Sequence, residues 1–208
     1  MKTINYKDKI LTPSKVVCIG RNYVEHIEEL GNEIPENMVV FNKPNSAITD
    51  TLQYFSDACR FEGEICFLVM NGQIEGVGFG LDLTHVDIQN KLKEKGLPWE
   101  RAKGFNGSAV LSEFVPLAGN IESLNMKLYV NDKLAQFANY DLMMYKPQAM
   151  IKEIQSFMCL ENGDVIMSGT PKGVSTYSEG DRFLGQIFAG DKVLLECTWI
   201  VLKRIKEQ

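Results

Sequence analysis

The chain has 208 residues, with 22 Lys plus Arg against 27 Asp plus Glu and a formal net charge of −5. An acidic chain with no basic stripe is not built for a nucleic-acid backbone, which needs clustered cations. With 45% hydrophobic residues it can bury a real core, so disorder is excluded for most of its length, and a single domain over 1–208 is expected.

Lys15–Ile19 and Met38–Phe41 read as strands. Between them, Tyr23 to Leu30 reads as a short helix, with Tyr23, Ile27 and Leu30 at helical spacing and Gly31 as its stop. Phe61–Met70 and Ile74–Gly80 follow as strands rich in β-branched and aromatic residues. Thr84–Lys95 reads as a helix, with Thr84 and Asp87 as a variant capping box and Gly96 beyond. Met126–Val130 is a strand, and Asn131-Asp132 is the turn of a hairpin. Pro147–Leu160 opens with proline in its first turn and carries Met150, Ile151, Ile154, Phe157 and Met158 on one face. Asp164–Ser168 and Lys192–Leu202 are the last strands. Many strands with few short helices make a β-rich α+β fold.

The five cysteines, Cys18, Cys59, Cys66, Cys159 and Cys197, include no C-x-x-C pair. That argues against a disulfide framework or a thiolate zinc site and fits a reducing cytoplasm. The first twelve residues are polar with mixed charge, unlike a signal peptide. Val193–Leu202 is broken by Glu196 and Thr198 and is too short to span a bilayer. A cytoplasmic protein without membrane contact is expected.

Glu62 and Glu64 are two apart in a strand, so both project from one face. Cys66 and Leu68 continue that face, while Phe61, Gly63, Ile65 and Phe67 form the other, so both faces require burial. Neighbouring buried carboxylates raise each other's pKa unless a cation holds them, and hard oxygen ligands suit Mg²⁺, Mn²⁺ or Ca²⁺. Taken alone the pair favours two solvent-facing acids at a frayed strand end. Asp82, at a strand-to-helix junction, is a third ligand or a turn acid. His26 and Glu29 are three apart on a helix, so the carboxylate can fix the imidazole tautomer and raise its basicity. The plainer role is a surface ion pair among Glu25, Glu28 and Glu33. His85 is expected to be structural or exposed. Lys103, followed by small residues, approaches an anionic substrate or stays solvated. Gly169-Thr170-Pro171-Lys172-Gly173-Val174 presents backbone N–H groups to an anion, or is a tight turn, and it lacks the P-loop spacing.

Six blocks stand in a telling order. They are Gly20-Arg21-Asn22-Tyr23-Val24-Glu25-His26, Phe41-Asn42-Lys43-Pro44, Phe61-Glu62-Gly63-Glu64-Ile65, Leu81-Asp82-Leu83-Thr84, Gly96-Leu97-Pro98-Trp99-Glu100-Arg101-Ala102-Lys103 and Ser168-Gly169-Thr170-Pro171-Lys172-Gly173-Val174. From about Lys15 to Leu202 the chain resembles the fumarylacetoacetate hydrolase family, in its short acylpyruvase and oxaloacetate-tautomerase branch. The resemblance implies the family's C-terminal-domain fold, a mixed β-sandwich or β-roll with few short helices, and a homodimer. It implies Glu62, Glu64 and Asp82 as ligands of Mg²⁺ or Mn²⁺, with Ca²⁺ as an alternative. It also implies His26 and Glu29 as a dyad on a lid-like helix and Lys103 beside the metal, with Arg21, Lys43, Gln89 and Thr170 at the substrate. Two positions depart from the family pattern: Val86 stands where an arginine would grip a substrate carboxylate, and Arg60 stands where histidine is common. The activity implied is divalent-metal chemistry on a small 2-oxo or 2,4-dioxo acid. C–C hydrolysis of an acylpyruvate, enol–keto isomerisation and decarboxylation of oxaloacetate all remain open. The rival is a catalytically idle metal-binding scaffold or binding protein of the same fold. Val86 favours that rival, and the intact triad, His26, Glu29 and Lys103 oppose it.

Overall fold

The computed structural model describes residues 1–29, 35–117 and 119–204. Leu30, Gly31 and Glu33 lie outside the described residues.

The chain opens with an antiparallel pair, β1 (Ile4–Tyr6) and β2 (Lys9–Leu11). β3 (Lys15–Gly20) leads through α1 (Val24–Glu29) to β4 (Val39–Pro44), which returns antiparallel to β3. Short strands β5 (Ile48–Thr49) and β6 (Gln53–Tyr54) follow. The run expected as one strand over 61–70 breaks at Glu62, giving β7 (Cys59–Phe61) and β8 (Gly63–Met70). β9 (Gln73–Asp82) pairs back on β8 and extends as far as the aspartate.

The expected capping box does not form. Thr84 belongs to β10 (Thr84–His85), which pairs with β7, and α2 (Val86–Glu94) starts only after it. The Thr84 hydroxyl donates instead to Glu62 Oε1 at 2.7 Å, because a carboxylate is the stronger acceptor available to it.

α3 (Glu100–Lys103) precedes β11 (Ala109–Pro116). β12 (Leu124–Val130) and β13 (Lys133–Asn139) form the expected hairpin. Asn131 and Asp132 both take left-handed φ values, 49° and 63°, as a type I′ turn requires. α4 (Pro147–Gln155) is shorter than its pattern suggests. Ser156 and Phe157 donate three residues back, to Glu153 and Ile154, so the last turn tightens, and Phe157 is left 56% exposed. β14 (Val165–Met167), β15 (Ser175–Thr176), β16 (Arg182–Ala189), β17 (Lys192–Ile200) and β18 (Leu202–Lys203) complete the chain.

Nine strands form one mixed sheet, in the order β2-β1-β11-β9-β8-β14-β3-β4, with β5 also paired to β11. The chain leaving the β4 edge thus returns through β5 to a strand near the opposite edge, and the sheet rolls up. One face packs Val16, Cys18, Cys66, Leu111 and Met167 against each other. Room there is tight: a Cβ at Gly80 would lie 2.6 Å from Cys66 Sγ and 3.0 Å from Met167 Cε. The other face sets Ile65, Phe67, Phe79 and Leu81 against Met126, Leu128, Ile187 and Trp199 of the four-stranded sheet β13-β12-β16-β17. β8 is therefore buried on both faces, as its two apolar rows demand, and the acids at its start are carried into the interior. Among the described residues no helix is long and apolar enough to cross a membrane.

Candidate active site

Glu62 occupies the break between β7 and β8, Glu64 is the second residue of β8, and Asp82 ends β9. The β8–β9 ladder sets Glu64 opposite Gly80. The Asp82 N–H donates to Glu62 O at 2.9 Å, which folds the end of β9 towards the break. One oxygen from each carboxylate then lies within 4.8 Å of the others. Glu64 and Asp82 are 2% and 1% exposed.

Two lysines answer this charge. Lys103 Nζ bridges Glu62 Oε2 at 2.9 Å and Asp82 Oδ2 at 2.7 Å. Burial opposes its charge, but Asp82 and Glu62 hold its pKa above the usual lysine range. Lys43, wholly buried, lies 2.8 Å from Asp82 Oδ1 as an ion pair. It donates to Leu83 O and Lys103 O, and its contact with Asp82 Oδ1 is an ion pair without hydrogen-bond alignment. Glu62 is pulled two ways: burial raises its pKa, Lys103 and the Thr84 hydroxyl lower it, and the lowering prevails. Glu64 goes the other way. Burial, Asp82 and Glu62 drive its pKa well above normal, and the Gly169 N–H, donating to Oε2 at 2.7 Å, offsets only part of this.

This donor set fits a hard divalent cation. Three carboxylates converge, one buried oxygen lacks an aligned donor, and one carboxyl prefers a proton when no cation is bound.

α1 brings the second group. His26 is buried, and its Nδ1 lies 3.1 Å from Glu29 Oε2. Glu29 also accepts from the Gly173 N–H at 3.1 and 3.2 Å, and Lys172 pairs with Glu25 at 3.1 Å. α1 is thereby strapped to the Gly169–Val174 loop. Gly173 has a φ of +99°, and a Cβ there would stand 2.1 Å from Ala135 O, so this turn accepts only glycine. The loop's N–H groups at 169 and 173 thus serve the protein's own carboxylates. Asn22 anchors the start of α1, donating to Ser168 O and Tyr145 O and accepting from the Tyr145 N–H.

The three acids, Lys103 and His26 all line one cavity. Arg21, Gln89 and Thr170 line it as well. Lys43 lies behind Asp82, and Glu29 behind His26. His85 lies outside, half-buried with its ring centre 4.2 Å from that of Phe105, in the structural role expected.

Two residues escape the sequence reading. Gln136 is buried; its Oε1 accepts from the Gly63 N–H at 2.8 Å, and its Nε2 donates to Thr170 Oγ1 and Pro171 O, both at 2.9 Å. It ties the strand between the two glutamates to the Thr170 loop. A polar residue at an inward position of β13 was its one signal. Lys93 also lines the cavity, and its signal was its place four residues after Gln89.

A family description for the fumarylacetoacetate hydrolase C-terminal region matches residues 15–204. Oxaloacetate tautomerase YcgM of Escherichia coli K12 is 37% identical over 188 residues, covering 81% of this chain and 86% of its own. The human mitochondrial oxaloacetate tautomerase FAHD1 is 32% identical over 206 residues, covering 90% and 91%. Among solved structures, a fumarylpyruvate hydrolase from Pseudomonas aeruginosa in complex with Mn²⁺ and pyruvate superposes with a TM-score of 0.86 at 26% identity, over 98% of this chain and 96% of that one. A match that runs through β3 to β18 and includes every element carrying the acids, the lysines and the histidine places this chain in the fumarylacetoacetate hydrolase family.

Proposed function

We propose that this protein is a divalent-cation-dependent enzyme of small 2-oxo acids, with enol–keto tautomerisation of oxaloacetate as its first activity. The observation that carries this is the convergence of Glu62, Glu64 and Asp82 with Lys103 and the His26–Glu29 pair on one cavity. Relatives that are 32–37% identical and bear the name oxaloacetate tautomerase support it. So does the structural relative's complex with Mn²⁺ and pyruvate, itself a 2-oxo acid.

A bound Mg²⁺ or Mn²⁺ supplies Lewis acidity at the 2-oxo oxygen. Glu62, Glu64 and Asp82 would hold it, with Ca²⁺ as the alternative. Lys103 and Lys43 fix two of these carboxylates and offset their charge. His26 moves the proton at the carbon next to the carbonyl. In the enol-to-keto direction one proton leaves the enol hydroxyl and one arrives at that carbon, with no net change. Glu29 holds the imidazole in one tautomer, and its own bonds to Gly173 N–H keep it in place. Arg21, Gln89 and Thr170 face the substrate.

Likeness to a fumarylpyruvate hydrolase favours a second activity, C–C hydrolysis of acylpyruvates, in which His26 would activate a water. The test is one assay panel on Mg²⁺- or Mn²⁺-loaded protein: decay of the oxaloacetate enol absorbance, then cleavage of acylpyruvates. Accelerated enol decay that a chelator abolishes supports tautomerisation. Ion binding without turnover of either class would restore the idle scaffold. We further propose a homodimer working in the cytoplasm, as suits an enzyme of this size with unpaired cysteines.

A further inference from the structure

α2 buries no side chain in the core, so its inner face has another use. Gln89 and Lys93, four residues apart, are both half-buried and both line the site cavity. In the first turn of that helix Val86 is apolar and Asp87 is exposed, and Lys91 is exposed too, so Lys93 is the cation that α2 presents to the cavity.

Its surroundings are unusual for a lysine. Lys93 Nζ lies 5.4 Å from the centre of the Trp99 ring. Trp99 meets Phe41 edge-on at 5.7 Å, and Lys103 Nζ lies 5.1 Å from the Phe41 centre. An ammonium thus stands at either end of an aromatic wall. Lys103 already has two carboxylate partners, Glu62 and Asp82. Lys93 has no carboxylate at ion-pair distance among the described residues; Trp99 is the contact it makes. Desolvation and the Arg21 charge lower its pKa, against a weaker opposing pull from Glu62. A lysine held partly out of water, beside a cavity and without an anion, is poised for one that arrives with the substrate.

We propose that Lys93 recognises a second carboxylate on the substrate, so that the site selects 2-oxo dicarboxylates over 2-oxo monocarboxylates. This rests on the reading of the cavity as a 2-oxo acid site. With the 2-oxo end at the three acids, the aromatic wall covers the middle of a short diacid, and Lys93 meets its far end.

The experiment compares binding of 2-oxoglutarate, with a distal carboxylate, and 2-oxovalerate, with a methyl group at that end, to the Mn²⁺-loaded protein by calorimetry. Lys93→Met keeps the stem on Trp99 and removes the charge. It should weaken 2-oxoglutarate about tenfold or more, the range of a lost charge-assisted contact, and move 2-oxovalerate less than about twofold. Lys93→Arg should restore most of the loss. In turnover, KM for oxaloacetate should rise more than kcat falls in Lys93→Met. Equal weakening of both acids, or an unchanged 2-oxoglutarate affinity, overturns the assignment of Lys93. Wild-type protein that binds neither acid overturns the reading of the cavity itself.

Discussion

His26 and Glu62 face the same cavity from different elements, and their chemistry separates them. His26 is held by Glu29 and ligates nothing in the triad; Glu62 belongs to the acid cluster and is tied to Lys103 and Thr84. His26→Ala should therefore lower turnover about 10²–10⁴-fold, the usual share of general acid–base catalysis, with Mn²⁺ affinity unchanged. Glu62→Ala should lose the ion, and activity with it. Calorimetric ion titration beside turnover checks both, and a His26→Ala protein that turns over normally removes the dyad from the mechanism. Gln136 acts at one remove, through Gly63 and Thr170. Gln136→Leu strands the Gly63 N–H and the Pro171 carbonyl in the interior, at about 1–3 kcal/mol for each group left unpaired. Thermal unfolding should register that loss directly.

At the scale of elements, what could be read in advance was what neighbouring residues decide. The Asn131-Asp132 turn needs two left-handed residues in a row, and two turn-forming residues supply them. The two apolar rows of β8 demanded burial on both faces and received it. Thr84 was misread because its local partner, the start of α2, lost to a carboxylate 22 positions away. Gln136 and Gly63 are 73 positions apart, and Asn22 and Ser168 are 146 apart, so no local pattern links them. The strand order belongs to the same class: β14 lies between β8 and β3 because of contacts across most of the chain. Asp164 secures that junction. Its carboxylate accepts from Ser14 N–H and Oγ–H, from Lys15 N–H and Nζ, and from the Glu161 N–H. Burial works to raise its pKa, but the Lys15 ammonium and the other donors outweigh it, so the folded value lies below normal. A depressed carboxylate pKa gives stability that is present above the unfolded value, about 3.9, and is lost as pH falls through the folded one. Asp164→Asn should cost about 1–3 kcal/mol near neutrality, or about 2–4 °C of Tm per kcal/mol. The gap between variant and wild type should close below about pH 4; a gap that stays constant into acid would disprove the assignment.

Over the whole molecule, the ion and the fold are linked through Glu64. It stands where β8 passes between the two packed clusters and is almost wholly withdrawn from water. Lys43 and Lys103 attend to Asp82 and Glu62, which leaves Glu64 as the acid that takes up a proton when no cation is bound. The sign is opposite to that of Asp164. A folded pKa above the unfolded value, about 4.3, means that the folded state binds the proton more tightly. Chelator-treated protein should therefore lose stability as pH rises from about 4.3 towards the raised folded pKa of Glu64. Mg²⁺ replaces that proton, so its stabilising effect should grow with pH over the same interval. At an ion concentration about a hundredfold above Kd the gain is about 2.7 kcal/mol, or about 5–10 °C in a chain of this size. Glu64→Gln should flatten the pH slope of the chelated protein, because the group that titrates is gone while an acceptor for the Gly169 N–H remains. The measurement is a set of thermal melts from about pH 5 to pH 8, with Mg²⁺ and with chelator. A Mg²⁺ increment that is absent, or the same at every pH, would show that the three carboxylates do not share one cation through Glu64.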